Sequence, residues 1–291
     1  MKWTPGGRSQ DLEDRRGETP AYGGGGFRLG RAAPLGLGGI VILFVLSLIT
    51  GTDLTSILGS DPGTTAPGPS GSPVPPGPAA TTAEEEKLVD FVSFVLDDTQ
   101  NTWSQLLQGY RRAGLVLFRE ATNTACGVGE SATGPFYCPG DQKVYVDLAF
   151  YEELKRRFGA PGDFAQAYVL AHEIGHHVQN QLGIERELRA QQQAHPGQAN
   201  ALSVRMELQA DCLAGVWGHS TQRRDLLDPG DLDEGLAAAS AVGDDRIQEM
   251  ATGEVRPESF THGSSEQRVA WFRRGFDSGD PNACDTFGSS E

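Results

Sequence analysis

The stretch Ala171-His172-Glu173-Ile174-Gly175-His176-His177 contains the pattern His-Glu-x-x-His. The spacing of apolar residues around it predicts one helix from Asp163, the expected N-cap, to about Leu182, with Gly183 as its C-terminal stop. Because residues i and i+4 lie on one helix face, both imidazoles can reach a single zinc ion. Glu173 would then lie beside the metal and take a proton from water. The competing interpretation is a pair of surface histidines on a solvated helix.

Two histidines leave a catalytic zinc one protein ligand short. A metzincin would place Gly and His at the positions of Gln179 and Leu182, so that class is excluded. A second helix, predicted over 199–218, carries Glu207 and Asp211 at i and i+4. We expect Glu207 to be the third zinc ligand and Asp211 to accept the N–H of a ligand histidine. Two exposed acids on an acidic helix are the alternative, which the upstream histidine motif disfavours.

Two further histidines have different expected roles. His177 points about 100° away from the histidine pair, so we interpret it as structural or as a residue behind the ligands. His262 precedes a helix predicted over 265–276, whose N-cap is Ser264 or Ser265. As a catalytic residue His262 would donate a hydrogen bond to a developing oxyanion, and an ordinary loop histidine is an equally good interpretation.

The remaining pattern predicts an α+β, mainly helical domain with a small sheet. Helices are expected over 84–112, 151–158, 232–241 and 244–251, and strands over 115–118 and 143–148. We take strand 143–148 as a candidate exposed edge, with which an extended substrate peptide could pair.

The composition limits both the partners and the folded length. With 24 basic and 39 acidic residues among 291, the chain carries a net charge of −15, which argues against nucleic-acid binding. Its 38 Gly and 17 Pro are too many for one compact domain of this length. Part of the chain is therefore expected to lie outside the folded domain.

Residues 32–52 are 21 consecutive uncharged residues, about the length that crosses a bilayer core. A cleaved signal peptide is disfavoured, because a long polar region precedes the segment and no Ala-x-Ala site follows it. Lys and Arg occur before the segment but not after it until Lys87. The positive-inside rule predicts a single transmembrane helix in the cytoplasmic membrane, with the N-terminus inside and the folded domain outside the cytoplasm.

The predicted span divides the rest of the chain. We expect residues 1–31 to be a disordered cytoplasmic tail, and 53–83 to be an extended linker rich in Pro, Gly and Thr. Residues 84–291 then form one domain of ordinary size.

Four cysteines suit two disulfides in an exported domain. Cys126 and Cys138 flank a short loop and are the simplest pair, which leaves Cys212 to join Cys284. The other two connectivities stay open. Zinc ligation by cysteine is a competing interpretation, but no C-x-x-C spacing supports it.

These motifs resemble those of the bacterial neutral zinc metallopeptidases of the YpfJ-like group, which are gluzincin-type enzymes with a zincin-like fold. The resemblance covers nearly the whole chain, including Met1–Gly17, the span, Gly134–Asp141, Glu207–Cys212 and Thr261–Arg268. It implies one zinc ion per chain, bound by His172, His176 and Glu207, with Glu173 as the catalytic acid/base. Thr261–Arg268 also resembles the Thr-His-Pro-Ser segment of HtpX and CAAX prenyl proteases, which suggests Arg268 as a partner that orients His262.

Two functional hypotheses follow. The first is a membrane-anchored zinc metallopeptidase that hydrolyses peptide or protein substrates outside the cytoplasm. The second is a catalytically idle, zinc-stabilised module that binds a partner protein or a component of the cell envelope. An intact Glu173 favours the enzyme, because a binding module needs the metal ligands but not a general base.

Overall fold

The computed structural model describes residues 1–18 and 81–288. Its helices are α1 (Ala83–Leu106), α2 (Ala149–Arg156), α3 (Asp163–Leu182), α4 (Ile184–Ala194), α5 (Ala199–Arg223), α6 (Asp231–Ala241), α7 (Asp244–Thr252) and α8 (Ser265–Ser278). Its strands are β1 (Leu12–Asp14), β2 (Gly114–Phe118), β3 (Ala121–Thr124), β4 (Gly127–Glu130), β5 (Phe136–Cys138) and β6 (Lys143–Asp147). The prediction of a mainly helical α+β fold with small sheets is confirmed.

Four strands form one sheet in the order β1-β2-β6-β5, in which β1, β2 and β6 are parallel and β5 is antiparallel to β6. The prediction that strand 143–148 is an exposed edge is wrong. β6 lies between β2 and β5, and Val144, Tyr145 and Val146 are all buried. The alternating, β-branched sequence predicts a strand, but it does not tell which strands will cover its two edges. The sheet's edges are β1 and β5.

Residues 1–18 are part of the folded body. β1 pairs with β2 in parallel, with Leu12 opposite Leu115, and the Trp3 ring packs edge-on against Phe91 at a centroid distance of 5.3 Å. The prediction of a disordered tail over residues 1–31 is therefore wrong for residues 1–18, and residues 19–31 lie outside the described ranges.

The charges that suggested disorder in this segment are paired. The Arg16 side chain is 3% exposed, and its guanidinium lies 2.7 Å from an Asp14 carboxylate oxygen and 2.8 Å from a Glu86 carboxylate oxygen. A buried charge is tolerated when such partners surround it. These partners come from β1 and α1, so they become visible only once the chain is folded.

The predicted membrane span, 32–52, lies outside the described ranges, as do residues 53–80 of the predicted linker. In the ranges that are described, we find no helix with the length and apolar character needed to cross a bilayer. α1 begins at Ala83, and the Thr82 side chain caps it by accepting the N–H of Glu85 at 3.1 Å. The folded body thus resumes at the predicted end of the linker.

α3 is the central helix of the fold, in contact with α1, α5 and α6. It begins one residue earlier than predicted, because Gly162 occupies the N-cap and Asp163 is the first helical residue. Gly183 ends the helix in the left-handed conformation, with φ 79°, as predicted. Ser264 caps α8 through a capping box with Gln267, so the first of the two N-cap residues predicted for this helix is the one that the structure uses.

α5 and α8 pack with their backbones in close approach. A Cβ atom on Gly275 would lie 1.9 Å from the Cys212 carbonyl oxygen, and one on Gly215 would lie 2.0 Å from the Phe272 carbonyl oxygen. Glycine is the residue that fits such a crossing. The close packing brings the first turns of α8 next to the middle of α5.

Both expected disulfides are present. Cys126 pairs with Cys138, and Cys212 pairs with Cys284. The first joins the β3-β4 hairpin to β5, and the second joins α5 to the C-terminal segment of the described chain. The remaining connectivities are thereby excluded.

Candidate metal centre

α3 and α5 bring His172, His176 and Glu207 together, with one ligand atom from each within 4.8 Å of the others. The two histidine Nε2 atoms lie 3.2 Å and 3.6 Å, respectively, from the Glu207 carboxylate oxygens. The helices meet closely at Gly175, where an added Cβ would lie 3.0 Å from the Ala210 carbonyl oxygen. Two imidazoles and one carboxylate are the donor set of a common class of catalytic zinc sites, so these residues fit the metal.

Asp211 lies where the i, i+4 spacing places it, behind His172. Its Oδ1 is 2.9 Å from His172 Nδ1 and accepts the Tyr168 hydroxyl at 2.5 Å. Arg268 of α8 donates to both Asp211 oxygens, at 2.8 Å and 2.9 Å. Burial tends to raise the pKa of Asp211, but the charges of Arg268 and His172 hold it below its usual value. Asp211 is therefore an anionic acceptor, which orients His172 with Nε2 towards the other ligands.

Protons bind strongly to the ligand histidines in this arrangement. Burial lowers the pKa of His172, but Asp211 and Glu207 outweigh burial and raise it to about 10. Burial also lowers the pKa of His176, but the Glu207 carboxylate outweighs burial and raises this pKa overall. The same carboxylate that attracts these protons would attract a divalent cation in their place.

Glu173 is 8% exposed and lies one residue beyond the first histidine of the motif. Burial raises the pKa of its carboxyl group, while the charges of His176 and His172 oppose the increase. A carboxylate with a raised pKa beside the ligand set is a stronger base than an exposed carboxylate, which suits it to act as a general base.

His177 turns away from the ligands, as its position on the helix predicts. Its Nε2 lies 2.7 Å from the Arg111 carbonyl oxygen, and its Nδ1 lies 3.0 Å from the Tyr137 hydroxyl. Burial lowers the pKa of this imidazole. His177 therefore connects α3 to β5 and to the segment before β2.

His262 is held by Asp244, the first residue of α7. The Asp244 Oδ2 atom accepts the backbone N–H groups of Thr261, His262 and Gly263, and its Oδ1 lies 3.1 Å from His262 Nδ1. This loop is thus fixed by one carboxylate. The His262 side chain is 46% exposed.

The expectation that Arg268 orients His262 is wrong. The Arg268 guanidinium binds Asp211 instead, and Asp244 is the residue that orients His262. His262 is near enough to the ligand set for its charge to help lower the pKa of Glu207. Burial opposes that decrease, but the histidine charges outweigh it.

Three residues of the centre were missed by the sequence reasoning. Tyr168 lies four residues before His172 and Gln179 lies three residues after His176, so helical spacing alone could have placed each beside its histidine. Asp244 has no comparable local signal, because it reaches His262 from another helix.

A second acidic group consists of Asp163, Asp231 and Glu234. The amino group of Met1 lies 2.5 Å from Asp163 and 3.4 Å from Asp231. Glu234 accepts the N–H of Phe164 at 3.1 Å. These carboxylates are thus engaged by an ammonium group and by the start of α3.

The fold and the ligand set define a mainly helical protein with a gluzincin-like His-Glu-x-x-His site whose residues could hold a metal ion. The chain belongs to the family described as "Putative neutral zinc metallopeptidase", whose family model matches residues 1–287. It is 48% identical to "Uncharacterized protein YpfJ" of Escherichia coli (strain K12) over 301 aligned positions, which cover 100% of both chains. Proteins of Mycobacterium bovis and Mycobacterium tuberculosis are 48% identical over 200 positions, covering 65% of this chain and 67% of each relative. No solved structure matches the chain.

Proposed function

We propose that this protein is a zinc-dependent peptidase that hydrolyses peptide bonds in peptide or protein substrates. One observation carries the proposal: ligand atoms of His172, His176 and Glu207 converge within 4.8 Å, beside the buried Glu173. A zinc ion held there, one per chain, supplies Lewis-acid activation of water and of the scissile carbonyl group. Membership in the metallopeptidase family supports the same reaction class.

In this proposal Glu173 removes a proton from the attacking water and passes it to the leaving amine. Burial raises the pKa of Glu173, which makes its carboxylate a stronger base for taking the proton from water. His262 donates a hydrogen bond to the developing oxyanion, and Asp244 fixes the imidazole for that role. Asp211 holds His172 in its orientation.

We further propose that the domain acts outside the cytoplasm, tethered to the cytoplasmic membrane through residues 32–52. The two disulfides favour an oxidising compartment. A single crossing with an inside N-terminus would separate residues 1–18 from the body with which they pair. The proposal is therefore revised: residues 1–18 lie on the same side of the membrane as residues 81–288, so residues 32–52 would attach the chain to the membrane without a single crossing of it.

The net charge of −15 continues to disfavour a nucleic-acid partner. Neither the side-chain preference at the cleaved bond nor a particular protein substrate is part of the proposal.

The test compares the purified full-length wild type with Glu173→Gln, a chelator-treated sample and the matched surface variant Glu187→Gln. We expect wild type and Glu187→Gln to cleave an unstructured protein, whereas Glu173→Gln keeps zinc and loses about 10²–10⁴-fold in rate. Zinc bound with equal, negligible turnover in all variants would instead support the idle binding module. A wild type that binds no zinc would contradict both hypotheses.

A further inference from the structure

Gln179, a fully buried residue of α3, has its whole side-chain amide engaged. Its Oε1 lies 2.8 Å from Nδ1 of His176, one turn earlier on the same helix. Its Nε2 donates to the Met206 carbonyl oxygen at 2.8 Å and to Gln209 Oε1 at 2.9 Å. Exchanging the amide oxygen and nitrogen would place two oxygens against each other at both of the latter contacts. The orientation of the amide is therefore determined by its surroundings.

This orientation fixes the tautomer of His176. Because Gln179 presents an oxygen to Nδ1, that nitrogen must carry the proton and donate it. In the neutral ring that metal binding requires, the lone pair of the other nitrogen, Nε2, is then directed towards the ligand set, where Nε2 lies 3.6 Å from a Glu207 carboxylate oxygen. This is the atom that a metal ion would need.

The hydrogen bonds continue from Gln179 to the C-terminal segment. Gln209 is nearly buried, and its Nε2 donates to the Cys284 carbonyl oxygen at 3.0 Å. Cys284 is bonded to Cys212, three residues after Gln209 on α5. The side chains of Gln179 and Gln209, which we call the amide relay, thus connect His176 to a disulfide-linked carbonyl.

The two ligand histidines are supported differently. His172 faces the carboxylate of Asp211, which is itself paired with Arg268. His176 faces a neutral amide, and no ionised group belongs to the relay. Besides the Met206 carbonyl, the amide that faces His176 is linked through Gln209 to the Cys284 carbonyl, in the segment that the disulfide joins to α5.

We propose that the amide relay positions His176 for metal binding, and that the Cys212–Cys284 disulfide is its outer anchor, so that metal retention depends on this disulfide. Gln179 and Gln209 are positioning residues and need not touch the substrate. The proposal rests on the proposed function only in requiring that His176 binds zinc. Reduction by a water-soluble phosphine would break the Sγ–Sγ bond, give two thiols and oxidise the phosphine to its oxide, with water supplying the oxygen and the protons; a thiol reductant is avoided because thiolates bind zinc themselves.

The first experiment measures the zinc dissociation constant of the full-length protein by competition with a chelator. Gln179→Met removes the acceptor at His176 Nδ1 while keeping a side chain of similar length, and should weaken binding about 10–100-fold. Gln179→Glu keeps an acceptor and should rescue part of this loss. Gln166→Met, on the same helix but outside the relay, should bind zinc as the wild type does.

A second readout separates positioning from stability. The d–d absorption spectrum of the cobalt-substituted protein reports the geometry around the metal, so it should change in Gln179→Met and not in Gln166→Met. Circular dichroism checks that each variant is folded. Gln209→Met, which leaves the disulfide intact, should weaken zinc binding in the same direction.

The disulfide is tested with a matched pair of double variants. Cys212→Ser with Cys284→Ser should weaken zinc binding, whereas Cys126→Ser with Cys138→Ser should leave it unchanged. If the first double variant does not fold, phosphine treatment of the zinc-loaded wild type provides the same test, with zinc release followed over time. Release should occur there and in the protein lacking only Cys126 and Cys138.

The outcomes distinguish this inference from the proposed function. A wild type that binds zinc, with folded Gln179→Met and Gln209→Met binding it equally tightly and giving an unchanged cobalt spectrum, would overturn the relay alone. Zinc retained after complete reduction of Cys212–Cys284 would overturn the role of the disulfide. A wild type without zinc would overturn the relay together with the proposed function.

Discussion

Asp211 shows how one buried carboxylate organises the centre. It lies on α5, has no exposed surface, and is surrounded by donors from two other helices: Tyr168 and His172 of α3, and Arg268 of α8. A buried charge is costly unless it is paired and hydrogen-bonded. The pairing here keeps Asp211 ionised and fixes the ring of His172.

We expect Asp211→Asn to have two effects. It leaves the Arg268 guanidinium buried without its ionic partner, which should lower the free energy of unfolding by about 3–5 kcal/mol. It also weakens the acceptor at His172, which should reduce zinc affinity about 10–100-fold. Urea unfolding and chelator competition measure these changes, with the exposed Asp233→Asn as the control. Wild-type values for both quantities in Asp211→Asn would contradict this role.

The Asp244–His262 pair predicts a pH window of stability. Burial lowers the pKa of His262 but Asp244 and Glu207 raise it overall, so its contribution is complete below about pH 6.5 and is lost as the pH rises through the folded-state pKa. Burial raises the pKa of Asp244 but His262 and backbone N–H groups lower it overall, so its contribution is complete above about pH 3.9 and is lost on acidification.

The stabilisation by this pair should therefore be largest between about pH 4 and 6.5. The measurement is the difference in Tm between the metal-free wild type and metal-free His262→Gln over a range of pH. The difference should shrink on both sides of this window. A difference that does not depend on pH would show that the pair does not contribute in this way.

At the residue scale, spacing within one helix carried most of the sequence prediction. His172 and His176, like Glu207 and Asp211, share a helix face because each pair is four residues apart. The partner of His262 could not be predicted in the same way, since α7 supplies it across a loop.

At the element scale, the crossing of α5 and α8 depends on the absence of side chains. Gly275→Ala places a Cβ against the Cys212 carbonyl oxygen, a backbone atom that cannot rotate away. We expect a loss of at least about 1–3 kcal/mol in the free energy of unfolding, measured with urea. Gly197→Ala is the control, because its added Cβ would have no neighbour within 4 Å. Equal stability of the two variants would contradict the close packing.

The helices that hold the centre were predictable because their ends carry clear signals. α3 stops at Gly183, and α8 starts at the capping box of Ser264. α4 was missed, since Leu188 is its only buried residue and its sequence is otherwise polar. β3, β4 and β5 were missed because they are short, and because strand pairing and the Cys126–Cys138 disulfide rather than apolar periodicity define them.

At the scale of the whole molecule, residues 1–18 complete the sheet next to β2. Their composition predicts disorder because charged and glycine residues bury little apolar area. In the structure, Leu12 and Trp3 supply the apolar contacts, and Arg16 finds its partners on two elements. No local pattern in the sequence shows that Leu12 will pair with Leu115, in a strand far along the chain.

The same packing makes a prediction about topology. Gly6→Cys and Glu187→Cys, both at exposed positions, should react alike with a membrane-impermeant maleimide in intact cells. The reason is that the two positions belong to one folded body. Wild type without an added cysteine is the control for background labelling. Reaction at one position and protection at the other would contradict the packing of residues 1–18 on the domain.

The central claim is that His172, His176 and Glu207 hold one zinc ion. Its most direct test is a crystal structure of the zinc-loaded full-length protein, with anomalous scattering recorded at the zinc edge. We expect one strong peak at about 2.0–2.1 Å from both histidine Nε2 atoms and about 2.0–2.2 Å from a Glu207 oxygen. A peak among Asp163, Asp231 and Glu234 instead, or no zinc peak at all, would contradict the account.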